Sequence, residues 1–148
     1  MTFREKPIPK IYVVAAALSL LGLADALYLT IEHVTGQSVK CTIIAGCSEV
    51  LSSRYAEIGG IPLAMFGAAA YFTVFSLATL AAFGYRIAGK LLTPLVVGMF
   101  FFSLWLIYLQ AFVIRQFCQY CLFSAGITLT LLLTMLLVYR FQRQQESV

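Results

Sequence analysis

Charged residues are scarce in this sequence, which excludes an ordinary soluble protein. Asp, Glu, Lys and Arg make up 11% of its 148 residues, whereas soluble proteins have about 25%. Only one histidine is present, so no two histidines can share a metal ion. The ten basic residues form no run that would follow a nucleic-acid backbone, and we expect no nucleic-acid partner. What the sequence has instead is apolar residues, at 61% of the chain.

Four long apolar segments account for this composition. A helix rises about 1.5 Å per residue, so about 20 apolar residues cross a hydrocarbon core of roughly 30 Å. We therefore predict a single domain over residues 1–148, an all-α integral membrane protein built as a bundle of four transmembrane helices. The predicted helices cover residues 11–33, 61–83, 91–114 and 119–139, and a long first external loop covers residues 34–60.

Two further features of the N-terminal half affect this prediction. Val50, Leu51, Tyr55 and Ile58 recur at near-helical spacing, which predicts a short amphipathic helix in the first loop that covers the bundle. The basic N-terminus and the small residues around Asp25 also resemble a cleavable secretory signal. The apolar run continues beyond that point, which favours an uncleaved span.

The distribution of basic residues predicts the orientation in the membrane. Cytoplasmic segments of membrane proteins retain Lys and Arg. Seven basic residues lie in the two tails and the second loop, and three lie on the opposite face, which carries all the cysteines. The seven are Arg4, Lys6, Lys10, Arg86, Lys90, Arg140 and Arg143; the three are Lys40, Arg54 and Arg115. We expect a multi-pass protein of the plasma (inner) membrane with both termini cytoplasmic and the cysteines on the periplasmic or extracellular side.

The four cysteines form two pairs of different character. Cys41 and Cys47 lie in the first loop, where glycines permit bending, and Cys118 and Cys121 lie at the start of the last helix. Backbone N–H groups at a helix start favour a thiolate, so the second pair is suited to thiol–disulfide exchange. Cysteine count alone leaves two structural disulfides equally open. A four-thiolate metal site fits less well, because five residues separate Cys41 from Cys47, and we expect no bound metal.

Several motifs together resemble the bacterial branch of the vitamin K epoxide reductase family, without a fused thioredoxin-like domain. They are the paired-cysteine loop, Cys47-Ser48-Glu49-Val50-Leu51-Ser52-Ser53-Arg54-Tyr55, Pro62-Leu63-Ala64-Met65-Phe66-Gly67 before the second helix, and Cys118-Gln119-Tyr120-Cys121 before the last. The resemblance covers nearly the whole chain. It implies a membrane thiol:quinone oxidoreductase that reoxidises an external thioredoxin-fold (DsbA-like) protein and supports disulfide bond formation.

The resemblance also implies roles for individual residues. Cys41 and Cys47 would be the shuttle pair, Cys118 would exchange with Cys47, and Cys121 would contact a quinone of the ubiquinone or menaquinone (vitamin K) type. Ser53 would be a polar group of the active centre. Because the sequence ends at Val148, soon after the fourth helix, we expect the thiol partner to be a separate protein.

Two departures from the family pattern concern the substrate. Ala125 stands where the vertebrate enzymes have a tyrosine, and Leu63 or Ala64 stands where they have an asparagine. These differences favour quinone reduction over the alternative of epoxide reduction. A non-enzymatic four-span protein with structural disulfides, and a DsbB-like enzyme with another cysteine layout, are the remaining alternatives.

Polar and aromatic residues within the spans are further candidates. Asp25 is the only acid inside a predicted span, where a carboxyl group is costly; it is a candidate proton relay to the quinone or half of an interhelical hydrogen bond. Ser53 has a helix-capping alternative, and His33 an interfacial one. Trp105 and Phe112 are quinone-stacking candidates, although aromatic residues in a span more often face lipid.

Overall fold

The computed structural model describes residues 8–37, 41 and 46–147, without the side chains of Ile8 and Pro9. Three of the basic residues used above for the orientation, Arg4, Lys6 and Lys40, lie outside the described residues. So does most of the loop segment between Cys41 and Cys47.

The fold is all-α, with four helices long and apolar enough to cross a membrane within the described chain. They are α1 (Ile8–Val34), α3 (Leu63–Ala82), α4 (Arg86–Tyr108), which continues as a π-helix (Leu109–Ile114), and α5 (Gln119–Glu146). The prediction of a four-helix membrane bundle is confirmed. The third long helix begins before residue 91 and the last extends beyond residue 139, because charged residues at the membrane boundary do not interrupt helical hydrogen bonding.

The long helices form a closed ring in which α1 packs most extensively against α3, and α4 and α5 complete the circuit. Small residues at the α1–α3 contact, among them Ala15, Ser19 and Ala78, are fully buried and let the two backbones approach closely. Tyr71 on α3 fills the centre. Its hydroxyl group contacts the Ser124 carbonyl oxygen at 2.9 Å, the Ser124 hydroxyl at 2.7 Å and the Thr128 hydroxyl at 3.1 Å, which ties α3 to α5.

The first loop covers the cysteine-bearing end of the bundle with short elements. These are α2 (Cys47–Leu51), a 3-10 turn (Arg54–Ala56), and a hairpin of β1 (Glu57–Ile58) and β2 (Ile61–Pro62). The predicted short helix is therefore present, but it begins at Cys47 and ends at Leu51 rather than running from Val50 to Ile58. Gly59 and Gly60 form the hairpin turn with positive φ angles, which an extension of the helix would not allow.

Gly22→Ala should destabilise the bundle. A Cβ atom at Gly22 would clash with three carbon atoms of the Tyr71 ring, which is itself almost fully buried and held by α5. Overpacking of this kind costs about 1 to 3 kcal/mol, so the thermal midpoint in detergent should fall by several degrees. Gly126→Ala is the matched control, because a Cβ atom there meets nothing within 4 Å. Equal midpoints for the two variants would contradict the proposed packing.

Candidate active site

A cavity of about 540 Å³ lies between the long helices at the cysteine-bearing end of the bundle. Small-molecule sites usually measure about 300 to 1,000 Å³. Its wall is largely apolar and includes Leu29 of α1, Phe66 of α3, and Met99 and Phe102 of α4. The loop elements complete it from above through Val50, Leu51, Tyr55 and Ile58. Such a cavity suits a largely apolar small molecule.

The polar groups in the wall are few. They are Asp25, His33, Ser53, Tyr55, Tyr71, Ser103, Gln110, Cys121, Ser124 and Thr128. Oδ2 of Asp25 is buried and has no hydrogen-bond partner among the described residues. The interhelical hydrogen bond considered for this carboxyl group is therefore not seen at Oδ2, although Asp25 itself is one of the residues that line the cavity.

The two cysteine pairs differ in redox state. Cys41 and Cys47 are joined by a disulfide, with their Cα atoms 5.6 Å apart, and Cys118 and Cys121 are thiols. No group of three or more His, Cys, Asp or Glu residues is placed to hold a metal ion in the part of the chain that is described.

The inner cysteine of the loop lies against the start of α5. Cys47 (1% exposed) and Cys118 (fully buried) belong to one apolar cluster with Leu29 and Val50, and Cys41 and Cys121 pack against its edge. The backbone at Gly46, next to Cys47, also packs closely against the residues before α5, because a Cβ atom at Gly46 would lie 2.9 Å from the Phe117 carbonyl oxygen. The fold thus brings all four cysteines to one end of the bundle and places Cys121 in the cavity wall.

Local backbone geometry positions the second pair. The π-helix ends at Arg115, which adopts a left-handed conformation with φ 58°, and the chain turns back to begin α5. Cys118 is the extended residue immediately before this helix, and its N–H donates to Oε1 of Gln110 at 3.0 Å. Cys121, three residues later, lies in the first turn on the cavity side.

The pKa of the Cys118 thiol is lowered from 9.0 to about 7, chiefly by a hydrogen bond with the Cys121 side chain. Burial opposes this change, and hydrogen bonds with the backbone of Cys121 and Tyr120 support it. The sequence left open which sulfur would be favoured as a thiolate. In the dithiol state the geometry favours Cys118, which belongs to the buried cluster of Cys47 and does not line the cavity.

We expect the thiolate of Cys118 to titrate near neutral pH. Below about pH 7 the thiol is protonated, and above it the thiolate predominates, so the ultraviolet thiolate absorbance of the dithiol protein should rise with a midpoint of about 7. Cys121→Ala removes the largest cause and should move the midpoint of Cys118 upward, measured with Cys41 and Cys47 both replaced by alanine so that Cys118 remains the titrating thiol. The Cys118→Ala protein supplies the background. A midpoint that stays in place in Cys121→Ala would contradict this assignment.

Ser53 and His33 both help to hold the loop elements over the cavity. The Ser53 hydroxyl donates to the Val50 carbonyl oxygen at 2.7 Å and makes no capping hydrogen bond. The residue lines the cavity, as an active-centre role requires. His33 at the end of α1 pairs through Nε2 with Oε1 of Glu57 at 2.5 Å, so it links α1 to the hairpin.

The two aromatic candidates of the third long helix do not line the cavity. Trp105 is 46% exposed and Phe112 is 69% exposed on the outside of the helix bundle. Trp105 contacts Phe102, which does line it, with ring centroids 5.5 Å apart. The aromatic wall is formed by Phe66, Phe102, Tyr55 and Tyr71 instead.

Sequence reasoning missed Gln110. It is buried, lines the cavity and contacts the backbone of Cys118. The available signal was an uncharged amide close to the end of a span, eight positions before the first cysteine of the second pair. A polar residue inside a span usually faces the protein interior.

Comparison with known families agrees with this geometry. A family model described as the vitamin K epoxide reductase family matches residues 13–136, which is most of the chain and includes all four cysteines. This family comprises membrane thiol–disulfide oxidoreductases linked in general to quinones and thioredoxin-like partners. The chain with the four-helix bundle and two cysteine pairs is therefore a member of the vitamin K epoxide reductase family.

Proposed function

We propose that this protein reoxidises an external thioredoxin-fold protein and delivers the electrons to a membrane quinone, in support of disulfide bond formation. The observation that carries the proposal is the position of Cys121 in the wall of an apolar cavity while Cys118, three residues earlier, packs beside Cys47. One cysteine pair thus contacts the space open to a lipid-soluble acceptor. The other belongs to the loop on the aqueous side.

The electron path consists of balanced disulfide exchanges. A dithiol partner reduces the Cys41–Cys47 disulfide and leaves with a disulfide of its own. The Cys47 thiolate then attacks a Cys118–Cys121 disulfide at Cys118, and Cys41 resolves the mixed disulfide, which restores Cys41–Cys47 and leaves the second pair as thiols. The joined Cys41–Cys47 pair and the free thiols of Cys118 and Cys121 support this order, because they are the arrangement that the exchange would leave.

Closure of the Cys118–Cys121 disulfide completes the cycle. The two thiols give up two electrons and two protons, which together convert a quinone into its hydroquinone. The Cys118 thiolate forms the bond to the Cys121 sulfur, and Cys121 is the sulfur in contact with the cavity. Asp25, another residue of the cavity wall, would pass one of the protons. Ser53 holds the loop elements that exclude water.

The proposal includes an orientation. The cysteine-bearing face lies on the periplasmic or extracellular side of the plasma membrane, where disulfides persist, and both termini are cytoplasmic, as the distribution of basic residues predicts. Because Cys41 is only partly buried at the edge of the cluster, it is the loop sulfur that an external partner would attack. That partner is a separate DsbA-like protein.

Purified protein tests the proposal directly. In detergent, with a reduced thioredoxin-fold protein as the electron donor, it should reduce a ubiquinone or menaquinone analogue, and turnover should be lost in Cys47→Ser and Cys118→Ser. A wild-type protein that oxidises the donor without quinone reduction would contradict it. Vitamin K epoxide is included as a second acceptor, because epoxide reduction is the alternative activity. Cysteines that resist mild reductants and a protein with no turnover would support the structural-disulfide alternative.

A further inference from the structure

Gln110 occupies an unusual place in the fold. It is 3% exposed and lies in the six-residue π-helix that ends the third span. A π-helix inserts an extra residue into a turn and often marks a functional site. Here it turns a lone amide inward, between the cavity and the start of α5, where the neighbouring side chains are apolar.

The amide oxygen of Gln110 binds the backbone at Cys118. Oε1 accepts a hydrogen bond from the backbone N–H of Cys118 at 3.0 Å. That N–H belongs to the residue before α5 and has no helical carbonyl to pair with. Since a backbone N–H only donates, it requires the amide oxygen and thereby fixes which way the amide is turned.

The nitrogen end has a different environment. No hydrogen bond from Nε2 is seen among the described residues, and Nε2 is not one of the fully enclosed atoms without a partner, so this nitrogen is accessible from the cavity that Gln110 lines. A donor in a largely apolar interior is normally satisfied. Because Gln110 lines the cavity, the acceptor missing from the protein can be supplied by a molecule bound there.

We propose that Gln110 binds the quinone by donating a hydrogen bond from Nε2 to one of its carbonyl oxygens, while its Oε1 holds Cys118 in place. This inference rests on the proposed function. An amide NH2 group only donates and a quinone carbonyl oxygen only accepts, so the two groups are matched. Gln110 thus connects occupancy of the cavity to the position of Cys118.

Two variants separate the two ends of the amide. Gln110→Glu keeps a side-chain oxygen for the Cys118 N–H and has no donor when it is assayed at a pH above the pKa of its carboxyl group; Gln110→Met has neither. Both should raise the KM for a water-soluble ubiquinone analogue about tenfold, the effect expected for one lost hydrogen bond. The KM for the reduced thioredoxin-fold protein should stay within twofold of the wild-type value. The exposed Gln144→Glu is the matched control and should change neither constant.

The oxygen end is tested without quinone. In a Cys121→Ala background, the rate at which Cys118 forms a disulfide with Cys47 should fall with Gln110→Met and be largely retained with Gln110→Glu. A quinone KM within twofold of wild type in Gln110→Glu, or a parallel increase in both KM values, would overturn the inference even where Gln110→Met fails to fold. A wild-type protein that reduces no quinone would instead contradict the proposed function.

Discussion

Replacing Cys121 with alanine should abolish quinone reduction and leave a measurable fraction of the protein with Cys47 joined to Cys118. Cys121 is the cysteine that lines the cavity, and without it no disulfide can form at the acceptor side. The loss should be on the order of a thousandfold, as expected when a reacting group is removed. The Cys118 thiolate remains, beside a loop disulfide whose inner sulfur belongs to the same buried cluster.

The trapped species follows from that proximity. Cys118 attacks the Cys47 sulfur, the Cys41–Cys47 bond breaks, and Cys41 leaves as a thiol, so the exchange needs no external oxidant. In the wild-type protein Cys121 reverses this step by attacking Cys118. In Cys121→Ala only the return attack by Cys41 can break the Cys47–Cys118 disulfide. A measurable fraction of this disulfide should therefore persist at equilibrium.

Mass spectrometry of alkylated, digested protein provides the measurement. Cys121→Ala should give a linked peptide pair containing Cys47 and Cys118, together with an alkylated Cys41. Cys118→Ala is the control, because it also lacks quinone reduction but retains the Cys41–Cys47 disulfide. A Cys41–Cys118 link, or quinone reduction by Cys121→Ala above a few per cent of the wild-type rate, would contradict the proposed order of exchange.

Much of the fold could be predicted from composition, because only a helix satisfies its own backbone hydrogen bonds in lipid. The ends of the helices could not be predicted in this way. Apolar composition indicates which residues lie in lipid, but a helix can continue beyond them into water. Helix α5 therefore continues through Arg140 and Arg143 to Glu146. The loop elements were also misplaced, because Val50 to Ile58 fits helical spacing although its residues belong to α2, a 3-10 turn and a hairpin.

The cysteines could be predicted because their spacing has a chemical meaning, whereas the cavity wall could not. A span that is apolar on every side gives no indication of which side faces the interior. Trp105 and Phe112 were for this reason chosen by residue type, yet both lie outside the wall. The π-helix adds to the difficulty, because its extra residue changes the direction of every side chain after Leu109.

Gly46→Ala should disrupt exchange between the two cysteine pairs without changing any cysteine. Gly46 has a φ of +126°, a conformation that residues with a side chain rarely adopt. A Cβ atom there would also meet the Phe117 carbonyl oxygen at 2.9 Å and Cβ of Gln116 at 3.2 Å. The alanine variant must move α2, and Cys47 with it, away from the start of α5.

The effect of Gly46→Ala should be large because disulfide exchange requires the three sulfur atoms to be in line and in contact. A strained residue costs about 1 to 3 kcal/mol, so we expect the turnover number to fall about tenfold to a hundredfold. The KM for the quinone should hardly change, since Gly46 does not line the cavity. In the Cys121→Ala background the yield of the Cys47–Cys118 disulfide should fall in parallel.

Gly59→Ala is the matched control for this prediction, because it changes the same atoms in the same loop. Its φ of +60° is also left-handed, but a Cβ atom there meets nothing within 4 Å. It should lower stability by about 1 kcal/mol and leave exchange intact. If Gly59→Ala slowed turnover as much as Gly46→Ala, general strain in the loop would be the cause. If Gly46→Ala retained full turnover, Cys47 would not need its observed contact with Cys118, and the direct exchange between them would be wrong.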